Sequence, residues 1–176
     1  MGRVIVVKVI NMETTKEPTT KLRVGGIERN SLVDGPGIRT VIYFSGCSHD
    51  CAGCHAKELQ ATNYGMSVSI DSLMETIEED IDFVDGITLS GGDPVFQWDA
   101  VQEFLSVFKK KYPSKNVILY TGFLLKDLPL TEYNDVLYII DGKFEKSSPT
   151  IKHYRGSDNQ RMFENISGVW VNIDEE

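Results

Sequence analysis

Read from the amino end, a β-branched run at Arg3–Ile10 is followed by a polar stretch, Asn11–Thr20, that contains Pro18. This predicts a strand and then a loop. Apolar positions return at Leu22–Ile27, and beyond the turn-rich Asp34-Gly35-Pro36-Gly37 the residues Thr40–Ser45 favour a strand. From Asp71 onward Leu73, Met74, Ile77 and Ile81 recur at helical spacing, with Ser72 and Glu75 offering a capping box. Gly86–Ser90 reads as a buried strand ending at Gly91-Gly92. Asp99 with Gln102 then caps a second helix that presents Val101, Phe104, Leu105 and Phe108. Val117–Thr121 and Val136–Asp141 are short strands, separated by a helical segment around Leu124–Leu130 that Pro129 breaks. The polar stretch Lys143–Gly168 shows no clear period, and Val169–Ile173 predicts a last strand. Trp98, Trp170 and Phe123 read as core aromatics.

Strands alternating with helices predict an α/β fold with a mostly parallel sheet. The chain has 176 residues, whereas a full eight-unit barrel takes about 250. The expected architecture is therefore a single-domain, incomplete β/α barrel over residues 22–176, preceded by an extension at 1–21.

The formal charge of −8 argues against a polyanion such as nucleic acid as partner. The early apolar stretch Val4–Ile10 is interrupted by Lys8 and is too short to span a bilayer. A soluble, cytoplasmic protein is expected. The three cysteines lie at 47, 51 and 54, an odd count that cannot close a disulfide framework. Clustered free thiols in a reducing compartment point to metal.

In parallel sheets, ligands bind beyond the carboxyl ends of the strands. The cysteine loop, Gly91-Gly92-Asp93, Tyr120-Thr121-Gly122 and Asp141 all occupy such ends. Taken singly, each is also what an ordinary βα turn looks like. The spacing Cys47-x-x-x-Cys51-x-x-Cys54 puts three thiolates on one short loop, enough to hold three irons of a cubane and leave the fourth open to an external ligand. A structural zinc site of three cysteines with His49, His55 or His153 is the alternative, although His55 adjoins Cys54 and zinc ligands usually come as separated pairs.

At these residues the sequence resembles the radical S-adenosylmethionine superfamily. Asp34-Gly35-Pro36-Gly37-Ile38-Arg39 and Phe44-Ser45-Gly46-Cys47 look like its glycyl-radical-enzyme activases, and Gly91-Gly92-Asp93-Pro94 matches their second motif. Ile140-Asp141-Gly142-Lys143-Phe144-Glu145 and Arg155–Arg161 are similar to the activases of anaerobic (class III) ribonucleotide reductases. Ala56 stands where many activases have Asn.

The resemblance implies an enzyme in which Cys47, Cys51 and Cys54 hold a [4Fe–4S] cluster and act as its catalytic ligands. It implies that Gly53, Cys54, His55, Gly91, Gly92, Asp93, Thr121, Asp141 and Lys143 bind S-adenosylmethionine, Asp93 by accepting a hydrogen bond from the ammonium. Reductive cleavage would give methionine and a 5′-deoxyadenosyl radical that takes a glycine α-hydrogen from the reductase, with a flavodoxin-like protein as electron donor. Asn159, Gln160 and Arg161 are then suited to docking the reductase or closing over the cofactor. Three other readings stay open: an activase of the pyruvate formate-lyase type, a non-enzymatic iron–sulfur or zinc protein, and a radical enzyme acting on a small molecule.

Overall fold

The computed structural model describes residues 20–174. The strand expected at Arg3–Ile10 and nearly all of the expected extension lie outside them.

Eight strands form one sheet: β1 (Lys21–Ser31), β2 (Arg39–Phe44), β3 (Met66–Ser69), β4 (Gly86–Gly91), β5 (Asn116–Thr121), β6 (Tyr138–Asp141), β7 (Arg161–Ile166) and β8 (Val169–Asn172). Their order is β3-β1-β2-β4-β5-β6-β7-β8. Only β2, β4, β5 and β6 run parallel to their neighbours in that central block. The flanking pairs β1–β2, β1–β3, β6–β7 and β7–β8 are antiparallel. The sheet is thus a parallel centre with antiparallel flanks, which corrects the mostly parallel expectation. The reason is the connections: parallel neighbours need a long crossover, whereas β7 and β8 are joined directly through Ser167 and Gly168, both at positive φ.

Side chains alternate across the central strands, so each strand feeds two apolar layers. Ile42, Phe44, Ile87, Leu89, Val117, Leu119 and Ile139 face the larger layer, where they meet helix α1 (Ile70–Glu78) and helix α2 (Trp98–Lys111). Leu73, Met74 and Ile77 of α1 and Val101, Phe104, Leu105 and Phe108 of α2 are all buried there. Ile118, Ile140 and Met162 point the other way into a smaller layer with Tyr120, Tyr138 and Tyr154. Burial on both faces is why these strands read as unbroken apolar runs.

Helix α1 begins three residues earlier than its apparent capping box: Ser69, not Ser72, is the cap, its hydroxyl accepting from Ser72 N–H at 3.1 Å. Likewise Asp99 does not cap α2, because a single 3-10 turn, Pro94–Gln97, capped by Asp93, leads directly into the helix at Trp98. The segment expected to be helical around Leu124–Leu130 forms two short 3-10 turns, Leu125–Asp127 and Leu130–Tyr133. Pro129 lacks an N–H and prevents their fusion into one helix.

Arg39 is fully buried in β2 and pairs with no carboxylate among the described residues. Its guanidinium donates to Ile87 O (2.5 Å), Thr88 Oγ1 (3.2 Å) and Asn116 Oδ1, and it reaches Pro36 O at 3.5 Å. Burial lowers its pKa to about 10. These bonds pin the Asp34–Gly37 turn under the parallel strands.

Candidate active site

Each parallel strand ends at the same edge of the sheet: Phe44 pairs with Gly91, and Thr121 with Asp141. The loop that leaves β2 is fastened at its root. Ser45 N–H donates to Arg23 O (3.0 Å), Gly46 N–H to Leu59 O (2.7 Å) and Cys47 N–H to Gln60 O (3.2 Å). Gln97 adds a side-chain pin: it accepts from Arg23 N–H at 2.8 Å and donates to Arg23 O and Ser45 O, both at 2.9 Å. A turn closed by Cys54 N–H on Cys51 O (3.1 Å) brings the last two cysteines back together.

Cys47, Cys51 and Cys54 are free, half-exposed thiols that line one cavity of about 700 Å³. Burial pushes the Cys47 thiol up, opposed by the His49 N–H directed at its sulfur and reinforced by Asp93 and the other two thiols. Three thiols on one cavity wall are ligands suited to a cationic metal centre, which draws off their protons on binding.

Gly91 and Gly92 form part of the cavity wall. Gly91 sits at φ +114°, and a Cβ there would lie 2.5 Å from Phe44 N; one on Gly92 would lie 2.5 Å from both Gly46 O and Leu59 O. The chain therefore needs glycine at both places to pack against the cysteine loop. Asp93 is 1% exposed and is not among the residues that wall the cavity. Its oxygens accept from Val95 N–H (3.0 Å), Thr121 Oγ1 (2.9 and 3.0 Å) and Gly122 N–H (2.9 Å), and meet His49 Nε2 at 2.8 Å. The carboxylate is a buried hub that ties together the turns after β2, β4 and β5. Thr121 and Gly122 do border the cavity.

Asp141, also expected at the ligand, is fully buried. It accepts from Leu125 N–H at 2.7 Å and pairs with Arg161. Arg161 is thereby held against the end of β6. Gln160 accepts from Gly156 N–H and donates to Gly142 O, and Asn159 donates to Lys143 O, so these side chains fold the segment 143–160 over the strand ends. Lys143 lines a second, smaller depression on the Cys51 side of the loop, together with Lys146. Gly53, at φ +74°, is packed under Lys146 and does not wall the main cavity. His55 does wall it, its ring 4.8 Å from that of Phe144. Tyr120 was read only as part of a strand end, but its hydroxyl donates to Tyr154 O at 2.8 Å and anchors the cavity's far wall. No short-range pattern could reveal that bond, since the partners lie 34 residues apart.

Residues 33–163 match the family described as the 4Fe-4S single cluster domain. The chain is 38% identical over 145 residues to the anaerobic ribonucleoside-triphosphate reductase-activating protein of Enterobacteria phage T4, covering 79% of this chain and 92% of that protein. The proteins of the same name from Vibrio cholerae and Escherichia coli K12 are 33% and 30% identical, each over 73% of this chain and 89% and 90% of their own lengths. This chain belongs to the family of anaerobic ribonucleoside-triphosphate reductase-activating proteins. Among solved structures, QueE from Escherichia coli aligns over 58% of this chain and 52% of its own at a TM-score of 0.46 and 12% identity, too distant to weigh on the argument.

Membership in this family sets aside the structural zinc alternative, and the donor set fits an iron–sulfur cluster. Three free thiols facing one cavity suit a cubane, three of whose irons they can ligate. No helix among the described residues is long and apolar enough to cross a membrane.

Proposed function

We propose that this protein activates an anaerobic ribonucleotide reductase by reductive cleavage of S-adenosylmethionine at a [4Fe–4S] cluster held by Cys47, Cys51 and Cys54. The carrying observation is the placement of three free thiols on one pinned loop, beside Gly91-Gly92, in a single cavity at the carboxyl ends of the parallel strands. When bound, the reduced cluster supplies the electron that splits the sulfonium into methionine and a 5′-deoxyadenosyl radical, which takes one hydrogen atom from a glycine of the reductase and leaves a glycyl radical there.

The chain's own part is to hold, orient and exclude water. The Gly91-Gly92 backbone, Thr121 and His55, the last tilted against Phe144, line the cavity and would hold the cofactor there. Asp93 and Asp141 act at one remove by fixing the turns that make these contacts. Gly53 lets the loop turn beneath Lys146, and Lys143 stands on its outer side. All helices contributing to the larger layer lie on one face, and the strands at the sheet's two edges are β3 and β8; we read this as an incomplete barrel whose side stays open to a protein substrate. The electron donor is flavodoxin-like and the compartment the cytoplasm.

The test is anaerobic reconstitution with iron and sulfide, reduction, and assay of 5′-deoxyadenosine. Product from the native chain and none from Cys51→Ala is expected. A fully loaded cluster that leaves S-adenosylmethionine intact would overturn the reading.

A further inference from the structure

His49 stands between the first two cysteines, and the chemistry above makes no use of it. Its side chain is 8% exposed. Nε2 lies 2.8 Å from Asp93 Oδ2, and the ring meets Phe123 edge-on at 4.5 Å and 69°. Every other partner of the Asp93 carboxylate among the described residues is a donor, so Asp93 accepts here too and the proton sits on His49 Nε2. The backbone of the same residue faces the first cysteine, its N–H donating to Cys47 Sγ at 3.4 Å. One residue thus carries both an anchor to the β4 and β5 turns and a donor to the sulfur.

We propose that His49 is a positioning residue: its ring, fixed on Asp93, orders the cysteine loop and aims its own N–H at the Cys47 sulfur, setting how tightly the cluster is held and how readily it is reduced. This rests on the reading that Cys47 ligates iron. An N–H dipole directed at a ligand sulfur favours the extra electron of the reduced cluster, and hydrogen bonds to sulfur are among the terms that set cluster potentials. Loss of the anchor frees the loop, so the N–H leaves the sulfur and the potential falls. Gly122 shows how closely the ring is confined, since a Cβ there would lie 2.6 Å from His49 Nε2. Gly122→Ala therefore displaces the ring without altering residue 49.

The experiment compares the unsubstituted chain with His49→Leu, His49→Gln and Gly122→Ala. After anaerobic reconstitution it reads iron per chain, the midpoint potential by EPR-monitored titration, and the rate of iron loss to a chelator. His49→Leu and Gly122→Ala should shift the midpoint to more negative values and lose iron about tenfold faster. His49→Gln, whose amide can still donate to Asp93, should stay near the unsubstituted chain. An unchanged midpoint and chelation rate in His49→Leu, or in Gly122→Ala where His49→Leu does not fold, would overturn the proposal, as would failure of His49→Gln to restore them. Failure of the unsubstituted chain to load a cluster would instead remove the ligand reading beneath it, and that outcome is visible without any substitution.

Discussion

Two buried side chains, Arg39 and Asp93, hold the turns on which the site depends, and both collect partners from distant parts of the chain. Arg39 gathers acceptors from the Pro36 turn, β4 and β5. Arg39→Leu would leave several of them buried without a donor, at a cost of about 3 kcal/mol or more, since each unsatisfied buried group costs about 1–3 kcal/mol. A denaturant titration checks this. The cysteines were legible because their chemistry lies within one short loop. Asp93 and Asp141 were legible as carboxylates at strand ends, but their partners were not, because a sequence does not show that Gly122 N–H or Arg161 comes to bond them.

At the scale of elements, unbroken apolar runs disclosed β2, β4, β5 and β6, because each is buried on both faces, and helical spacing disclosed both helices. Helix starts were less legible, since several Ser and Asp residues precede each helix and only the geometry says which one caps. The structure makes a discriminating claim: Ser69→Ala should destabilise by about 1 kcal/mol through loss of the cap, and Ser72→Ala by clearly less, which thermal unfolding can measure. Phe104→Ala in α2 should cost about 3–5 kcal/mol, as expected for emptying a buried aromatic site. Strand β7 escaped notice because only Met162 and Phe163 are buried in it, on opposite faces, so it offers neither an apolar run nor an alternation. β3 is only four residues long and half polar.

For the whole molecule, the expected incomplete barrel was argued from chain length, while its antiparallel flanks depended on connections that composition does not specify. Two apolar side chains, Val33 at 73% and Ile151 at 101% exposure, stand on the rim of the thiol-lined cavity. If the reductase's glycine loop enters there, Ile151→Asp should leave 5′-deoxyadenosine formation without reductase unchanged. It should lower glycyl-radical yield about tenfold, the scale of one interface residue worth more than 1 kcal/mol. Paired product and EPR assays separate the two effects.

The most direct test of the account mixes the reconstituted, reduced protein with S-adenosylmethionine and an anaerobic ribonucleotide reductase, and follows radical formation by EPR alongside 5′-deoxyadenosine. The account predicts a glycyl radical on the reductase, matched by 5′-deoxyadenosine and lost in Cys47→Ala, Cys51→Ala and Cys54→Ala. A loaded, reducible cluster that yields no radical on the reductase would contradict it.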